Sequence, residues 1–334
     1  MRICLCRRGA TRILEFLRAE LRDDEILECS QEEVQDAARR VDVLVPLVAR
    51  IGEDALASPC VRLVQQFGAG LDGVDIESAS RHGVYVANVP SAETANADSV
   101  AELAVFLMLA LARKWCRAQE SLRAGRIGAP IGTTLKGKTV AIVGFGGIGR
   151  ALARRLRAFS LRIVAVSRHG PRDGEAEADL HLPASALHAA LEQADFVVVA
   201  TPLQAETRGL IGHDAFDHMK PGAFLVNIAR GPVVEREALL EALRSGKLGG
   251  AGLDVFWEEP PDPADPLFSY EVVATPHVGG ATEASLQDIA RAVAANVNRL
   301  RHGEVPRNCV NRLSIDAASL RAKQDGNDQK AGVP

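Results

Sequence analysis

Arg230, Glu259 and His277 are the side chains whose types and places in the chain suit proton and carboxylate chemistry. Arg230 stands in "NIARGPVVE", just beyond an apolar run that reads as a buried strand, where ligands of open α/β sheets gather. Its planar fork of donors matches a carboxylate. Glu259, in "LDVFWEEP", and His277, in "TPHVGGAT", also follow strand-like runs. An imidazole held by a carboxylate keeps one tautomer and is stabilised as imidazolium, which makes it a proton donor near neutral pH. Taken singly, the three also read as a salt-bridging surface Arg, a solvated Glu and a core His.

A second constellation is built for phosphate. Gly144, Gly146 and Gly149 form G-x-G-x-x-G in "GFGGIG", with Phe145, Gly147 and Ile148 between them. Glycines cluster in any tight turn, but these follow the strand-like "TVAIV" and open the helix-like "IGRALARRLRAF". In that context the first Gly makes the turn, the second lets the backbone approach a pyrophosphate, and the third lets helix and strand pack; the helix N-terminus adds amides and a positive dipole. A dinucleotide fold commonly ends its second strand on an acid that accepts bonds from the adenosine ribose. Here Ser167 occupies that place, 23 residues past Gly144, and Arg168 follows. An acid would repel a 2′-phosphate, whereas Ser167 donates a hydrogen bond and Arg168 pairs with the phosphate. One charge-assisted contact of about 1.5–3 kcal/mol gives roughly a ten- to hundred-fold preference. The expected cofactor is therefore NADP(H), with NAD(H) possible; read otherwise, Arg168 is a solvated loop charge and either cofactor is accepted. His169 and Arg172 would add to a phosphate site.

The elements that must carry these residues are legible as alternating apolar runs and helical stretches. "VDVLVPLV" (42–49) and "VRLVQQF" (61–67) read as buried strands with helical patterns around them, hence a parallel sheet. Residues 94–115 have helical spacing and are apolar nearly all round, with Thr94 or Asn96 available as N-cap, so that helix must be buried. After "LKGK" (135–138) a doubly wound sheet of about six strands is expected: "TVAIVG", "RIVAVS", "DFVVVAT", "AFLVNIA", "AGLDVF" and "VVATPHV". The helical stretch 283–303 is expected to return to the first domain. The fold class is then α/β, with a Rossmann-type nucleotide domain and a flavodoxin-like substrate domain built from both chain ends. The boundaries are 1–97 for the first part of the substrate domain and 98–281 for the dinucleotide domain with a dimerisation helix and arm. Residues 282–312 return to the substrate domain, and 313–334 form a polar tail.

Composition narrows the function classes. The chain has 334 residues, 47% apolar and 25% charged, enough for a large core in two domains. A net charge of −4 without basic runs among aromatics argues against a nucleic-acid groove. No apolar run nears the roughly 20 residues of a membrane span, and "MRICLCRRGA" has too short an apolar core for a signal peptide, so a cytoplasmic protein is expected. Six cysteines, Cys4, Cys6, Cys29, Cys60, Cys116 and Cys309, show no C-x-x-C and no His at ligand spacing, which predicts reduced thiols in core or surface positions and no metal.

The ordered set "GFGGIG", "NIARG", "DVFWEEP" and "TPHVGG", together with "FGAGLDGVD" and "SVAEL" earlier in the chain, resembles the D-isomer-specific 2-hydroxyacid dehydrogenases, glyoxylate/hydroxypyruvate reductases among them. The likeness extends over nearly the whole chain. It implies a catalytic trio of Arg230, Glu259 and His277: the Arg binds the carboxylate of a 2-oxo acid and polarises its carbonyl, and the His, paired with the Glu, protonates the forming alkoxide. Hydride comes to C2 from the reduced nicotinamide. Backbone amides of Gly68, Ala69 and Gly70 would hold the other end of the substrate carboxylate. Further cofactor contacts implied by the resemblance fall on Thr201, Pro202, Ile228, Ala229, Asp254 and Gly279.

Departures from the family's pattern bear on the substrate. "VPLVARI" (45–51) carries only Arg50 as a charge, where phosphoglycerate dehydrogenases have polar and basic residues, so a small unphosphorylated 2-oxo or (R)-2-hydroxy acid is favoured. Formate dehydrogenases of this fold have Gln where Glu259 stands. Trp257 reads equally as a pocket residue or an interdomain packing residue. A rival is a dinucleotide-sensing binding protein, since transcriptional co-repressors resemble this family and keep the trio; phosphite oxidation is less favoured. The apolar helix at 98–113 and an extended arm at 115–135 predict a two-fold homodimer, with the active site between the domains.

Overall fold

Short β-branched runs flanked by turn residues become parallel strands buried on both faces, as an α/β sheet requires. The computed structural model describes residues 1–168, 177–311 and 313; His169, Arg172 and the tail beyond 313 lie outside the described residues. Backbone proximity divides the chain into two compact units, Met1–Thr94 with the segment from Glu283, and Ala95–Thr282.

In the first unit the strands are β1 (Arg2–Leu5), β2 (Glu25–Glu28), β3 (Val43–Val45), β4 (Leu63–Gln65) and β5 (Tyr85–Ala87). They are parallel and ordered β2-β1-β3-β4-β5, the flavodoxin-like order. One face is covered by helices Thr11–Glu20 and Glu283–Arg301, which bury Leu14, Leu17, Ile289, Val293 and Val297 with Ile3 and Leu5. The opposite face packs Cys4, Leu44, Val64 and Val86 under Val34, Leu56 and Ala79.

The second unit continues with β6 (Thr139–Val143), β7 (Arg162–Ser167), β8 (Leu180–Pro183), β9 (Phe196–Val199), β10 (Ala223–Asn227), β11 (Leu248–Leu253) and β12 (Val272–Ala274). Their order is β12-β11-β10-β9-β6-β7-β8, all parallel. The chain runs outward from β6 through β7 to β8 and then crosses to β9 on the other side of β6, which makes a switch point between β6 and β9. Seven strands stand where six were expected. The addition, β8, is an edge strand that is half-buried, with His181 inside it and Pro183 at its end, so it lacks the continuous apolar run that marks its neighbours.

Two other expectations are corrected here. The apolar helix spans Asn96–Ala112 and buries Val100, Ala104, Leu107, Met108 and Leu111, but its N-cap position falls on Ala95, not Thr94 or Asn96, and carries no side-chain cap. The segment expected as an extended arm begins as a helix, Trp115–Arg123. "WCRAQESLR" is rich in helix formers, and Gly125 at φ 68° ends the turn. Along this stretch Phe106, Trp115, Leu122, Ile127 and Ile131 are exposed. Among the described residues no helix is long and apolar enough to cross a membrane.

Candidate active site

Three loops at the carboxyl ends of β10, β11 and β12 converge. After β10, Asn227 is almost fully buried, and its side chain bridges the next turn: Oδ1 accepts from the Ala229 amide at 3.0 Å and Nδ2 donates to the Arg230 carbonyl at 2.9 Å. That bridge fixes the path through Ile228 and Ala229 and presents Arg230, whose Nη1 also donates to the Ala229 carbonyl at 2.7 Å. Gly231 then passes so close to the next loop that a Cβ there would meet the Phe256 carbonyl carbon at 2.1 Å, which only glycine allows.

After β11 the chain turns through Phe256 and Trp257 to Glu259. Glu259 Oε1 accepts from the Phe256 amide at 3.1 Å, and Oε2 lies 2.8 Å from His277 Nδ1. Burial pushes the Glu259 carboxyl up, but the bond and charge of His277, the Phe256 amide and the charge of Arg230 outweigh it and hold the group below the usual carboxylate value. The pair is thus a charged acceptor on Nδ1, which leaves Nε2 as the nitrogen able to hand over a proton.

His277 sits at φ 55°, a left-handed backbone that a bulky residue adopts only when its surroundings hold it there. Asp254, 2% exposed, does the holding. Its carbonyl accepts from the His277 amide at 2.8 Å, Oδ1 accepts from the Thr275 hydroxyl at 2.7 Å and the Val278 amide at 2.9 Å, and Oδ2 accepts from the Gly279 amide at 2.9 Å. Trp257 packs within its own unit, its indole N–H donating to the Val234 carbonyl at 2.7 Å.

At the switch point, Gly144 runs at φ 102° and lies so near the end of β9 that a Cβ would stand 2.5 Å from the Thr201 amide nitrogen. Gly146 is the N-cap of helix Gly147–Leu156 and makes no side-chain cap, and a Cβ built on it meets nothing within 4 Å. Open space therefore faces uncapped helix amides, with Phe145, Ile148 and Gly149 forming the turn and Thr201 and Pro202 across the crevice. These residues fit a dinucleotide pyrophosphate. At the end of β7, Ser167 is half-buried and Arg168 is exposed, its Nη2 donating to Gln204 Oε1 at 2.6 Å.

In the first unit, the loop Gly68-Ala69-Gly70 after β4 has its carbonyls tied back. The Val89 amide donates to Gly68 at 2.8 Å, Asn88 Nδ2 to Ala69 at 2.8 Å, and Gln66 Nε2 to Gly70. The amide groups of the loop are the donors those bonds leave over. Sequence reasoning missed Asn227, Gln66, Asn88, Thr275 and Gln204. The one signal for Asn227 was a polar residue closing the otherwise apolar strand "AFLVN".

Comparison with known proteins agrees with this geometry. Residues 105–279 match the family model "D-isomer specific 2-hydroxyacid dehydrogenase, NAD binding domain". The chain is 40% identical over 316 residues to a glyoxylate reductase of Thermococcus onnurineus, covering 91% of this chain and 92% of the relative. It is 39% identical over 319 residues to a glyoxylate reductase of Pyrococcus furiosus, covering 92% and 93%. Among solved structures, an NADPH-dependent glyoxylate/hydroxypyruvate reductase from Sinorhizobium meliloti, in complex with NADP and malonate, superimposes with a TM-score of 0.79 at 31% identity, covering 94% of this chain and 99% of that one. A doubly wound sheet with a glycine turn at its switch point, an Arg, Glu and His on three adjacent strand ends, and relatives aligned almost end to end lead to one conclusion: the chain belongs to the D-isomer specific 2-hydroxyacid dehydrogenase family.

Proposed function

We propose that this chain interconverts small 2-oxo acids and (R)-2-hydroxy acids, with glyoxylate and hydroxypyruvate as substrates and NADPH as the preferred reductant. The observation that carries the reading is the 2.8 Å contact between His277 Nδ1 and Glu259 Oε2 beside the charge of Arg230. When bound, the reduced dinucleotide supplies hydride to C2. Arg230 binds the substrate carboxylate with its planar fork and draws electron density from the adjacent carbonyl. His277 donates the proton on Nε2 to the carbonyl oxygen as negative charge develops there, and Glu259 stabilises the imidazolium and fixes its tautomer. Asp254 and Gly279 set the loop that carries His277, and Asn227 sets the turn that carries Arg230. The names of the glyoxylate reductase relatives support the substrate class.

Steady-state kinetics with glyoxylate and hydroxypyruvate test the reading. Oxidation of NADPH by either acid, with one glycolate or glycerate formed per NADPH, is expected. Binding of NADPH without turnover on a broad 2-oxo acid panel would instead favour the dinucleotide-sensing role known for co-repressors of this fold.

The preference for NADPH rests on Ser167 and Arg168 where an acid would exclude a 2′-phosphate, and on the NADP in the Sinorhizobium relative. Gln204 holds the Arg168 guanidinium at the end of β7. Arg168→Ala is expected to raise KM for NADPH by about ten- to hundred-fold and to leave KM for NADH nearly unchanged. Equal values for the two cofactors in the wild type would show that the missing acid is mere tolerance.

A homodimer is part of the same proposal. Phe106, Trp115, Leu122, Ile127 and Ile131 lie on one continuous stretch and are exposed in the single chain, an apolar set that a second copy would cover. Sedimentation at micromolar concentration is expected to give twice the chain mass, and Leu122→Glu with Ile131→Glu is expected to shift it toward the monomer.

A further inference from the structure

A second group of reactive side chains lies in the first unit and takes no part in the chemistry above. Cys4 lies in β1 and Cys6 is two residues on, so both thiols point to one face of the sheet. β2 runs parallel beside β1, with Cys4 opposite Leu27 and Leu5 opposite Glu28, and the Cys29 amide donates to the Leu5 carbonyl at 3.1 Å. That register brings Cys29 to the same face. The three sulfurs lie within 4.8 Å of one another and all three residues are buried, packed with Val34, Ala37 and Val41. Spacing along the chain conceals the group, because its third member arrives from a neighbouring strand.

Three sulfurs bonded to one ion at about 2.3 Å stand about 4 Å apart in a trigonal plane, which is the spacing these side chains already approach. Among the described residues no His, Asp or Glu joins the group. Structural zinc sites take four ligands, whereas soft thiolates in a dry, three-donor setting suit copper(I). We propose that Cys4, Cys6 and Cys29 form a closed, trigonal three-sulfur site for a single copper(I) ion. The Cys6 thiol donates to the Cys4 carbonyl at 3.7 Å, a weak bond that coordination would replace as the bound thiols release their protons. With no open position, the ion would tie β1 to β2 and take no part in hydride transfer.

The test uses the full chain, purified anaerobically under reducing conditions, loaded with copper(I) and challenged with a chromogenic copper(I) chelator. A single equivalent is expected to survive the challenge, with a near-ultraviolet sulfur-to-copper band, in the wild type and in a Cys60→Ser, Cys116→Ser, Cys309→Ser triple variant. Cys29→Ala is expected to lose both signals. Copper-edge X-ray absorption of the loaded wild type needs no variant and is expected to read three sulfur neighbours. The assignment is overturned by nitrogen or oxygen neighbours around the ion, by copper that the triple variant loses and Cys29→Ala keeps, or by a wild type that surrenders all its copper to the chelator.

Discussion

Replacing His277 with Gln is expected to lower kcat for glyoxylate reduction by about 10²–10⁴-fold while the affinity for NADPH stays within a few-fold of the wild type. In the proposed mechanism the imidazole gives a proton to the carbonyl oxygen, and Gln is close in size but has no titratable proton. Stopped-flow and steady-state rates against fluorescence titration of NADPH separate the two quantities; an equal loss in binding would mean that the loop from Thr275 to Gly279 had collapsed. Glu259→Gln gives the complementary signature. Glu259 Oε2 meets His277 Nδ1 and fixes the ring tautomer, so kcat for reduction is expected to fall in the variant while NADPH affinity stays within a few-fold of the wild type. The folded Glu259 titrates below its usual 4.5, so its pairing contributes stability that is fully present above 4.5 and is lost only as pH falls through the lowered value. The wild type should therefore keep its charged pair well into the acid range, measurable as an acid limb of thermal stability that Glu259→Gln lacks.

Arg230→Gln is expected to reduce kcat/KM for the 2-oxo acid by about 10²–10⁴-fold, because truncating one partner of a desolvated charge pair costs about 3–5 kcal/mol. Arg230→Lys should recover little of this, since a single ammonium cannot make two parallel bonds to a carboxylate. Thermal stability should hardly change in either variant, because Asn227 bonds to the backbone of Ala229 and Arg230 and needs no guanidinium. Near wild-type kcat/KM in Arg230→Lys would mean that the side chain acts as a point charge and that the fork geometry is irrelevant. Asn227→Ala should produce a milder fall in kcat/KM by loosening the same turn.

The sequence by itself determined the parallel sheets and the glycine turn with its strand before and helix after, and it singled out Arg230, Glu259 and His277 as polar residues past strand ends, which the family resemblance then joined as a trio. These follow from local signals: continuous apolar runs for strands buried on two faces, glycine spacing for close backbone approach, and polar residues just past strand ends. It misjudged β8, whose edge position demands less apolar character, and the helix Trp115–Arg123, which buries little core of its own and so lacks the apolar stripe that marks the other helices. Only the tertiary structure decided how the site is held. Asp254 fastens the His277 loop across 23 residues of chain, Asn227 clamps the Arg230 turn, and Gln204 reaches Arg168 from 36 residues away. Hydrogen bonds of that kind depend on which strand ends become neighbours in space, and strand order is written in no local pattern. The grouping of Cys4 and Cys6 with Cys29 has the same origin: a parallel pairing of β1 with β2 in one particular register, set by the packing of whole faces, brought together what the chain keeps apart.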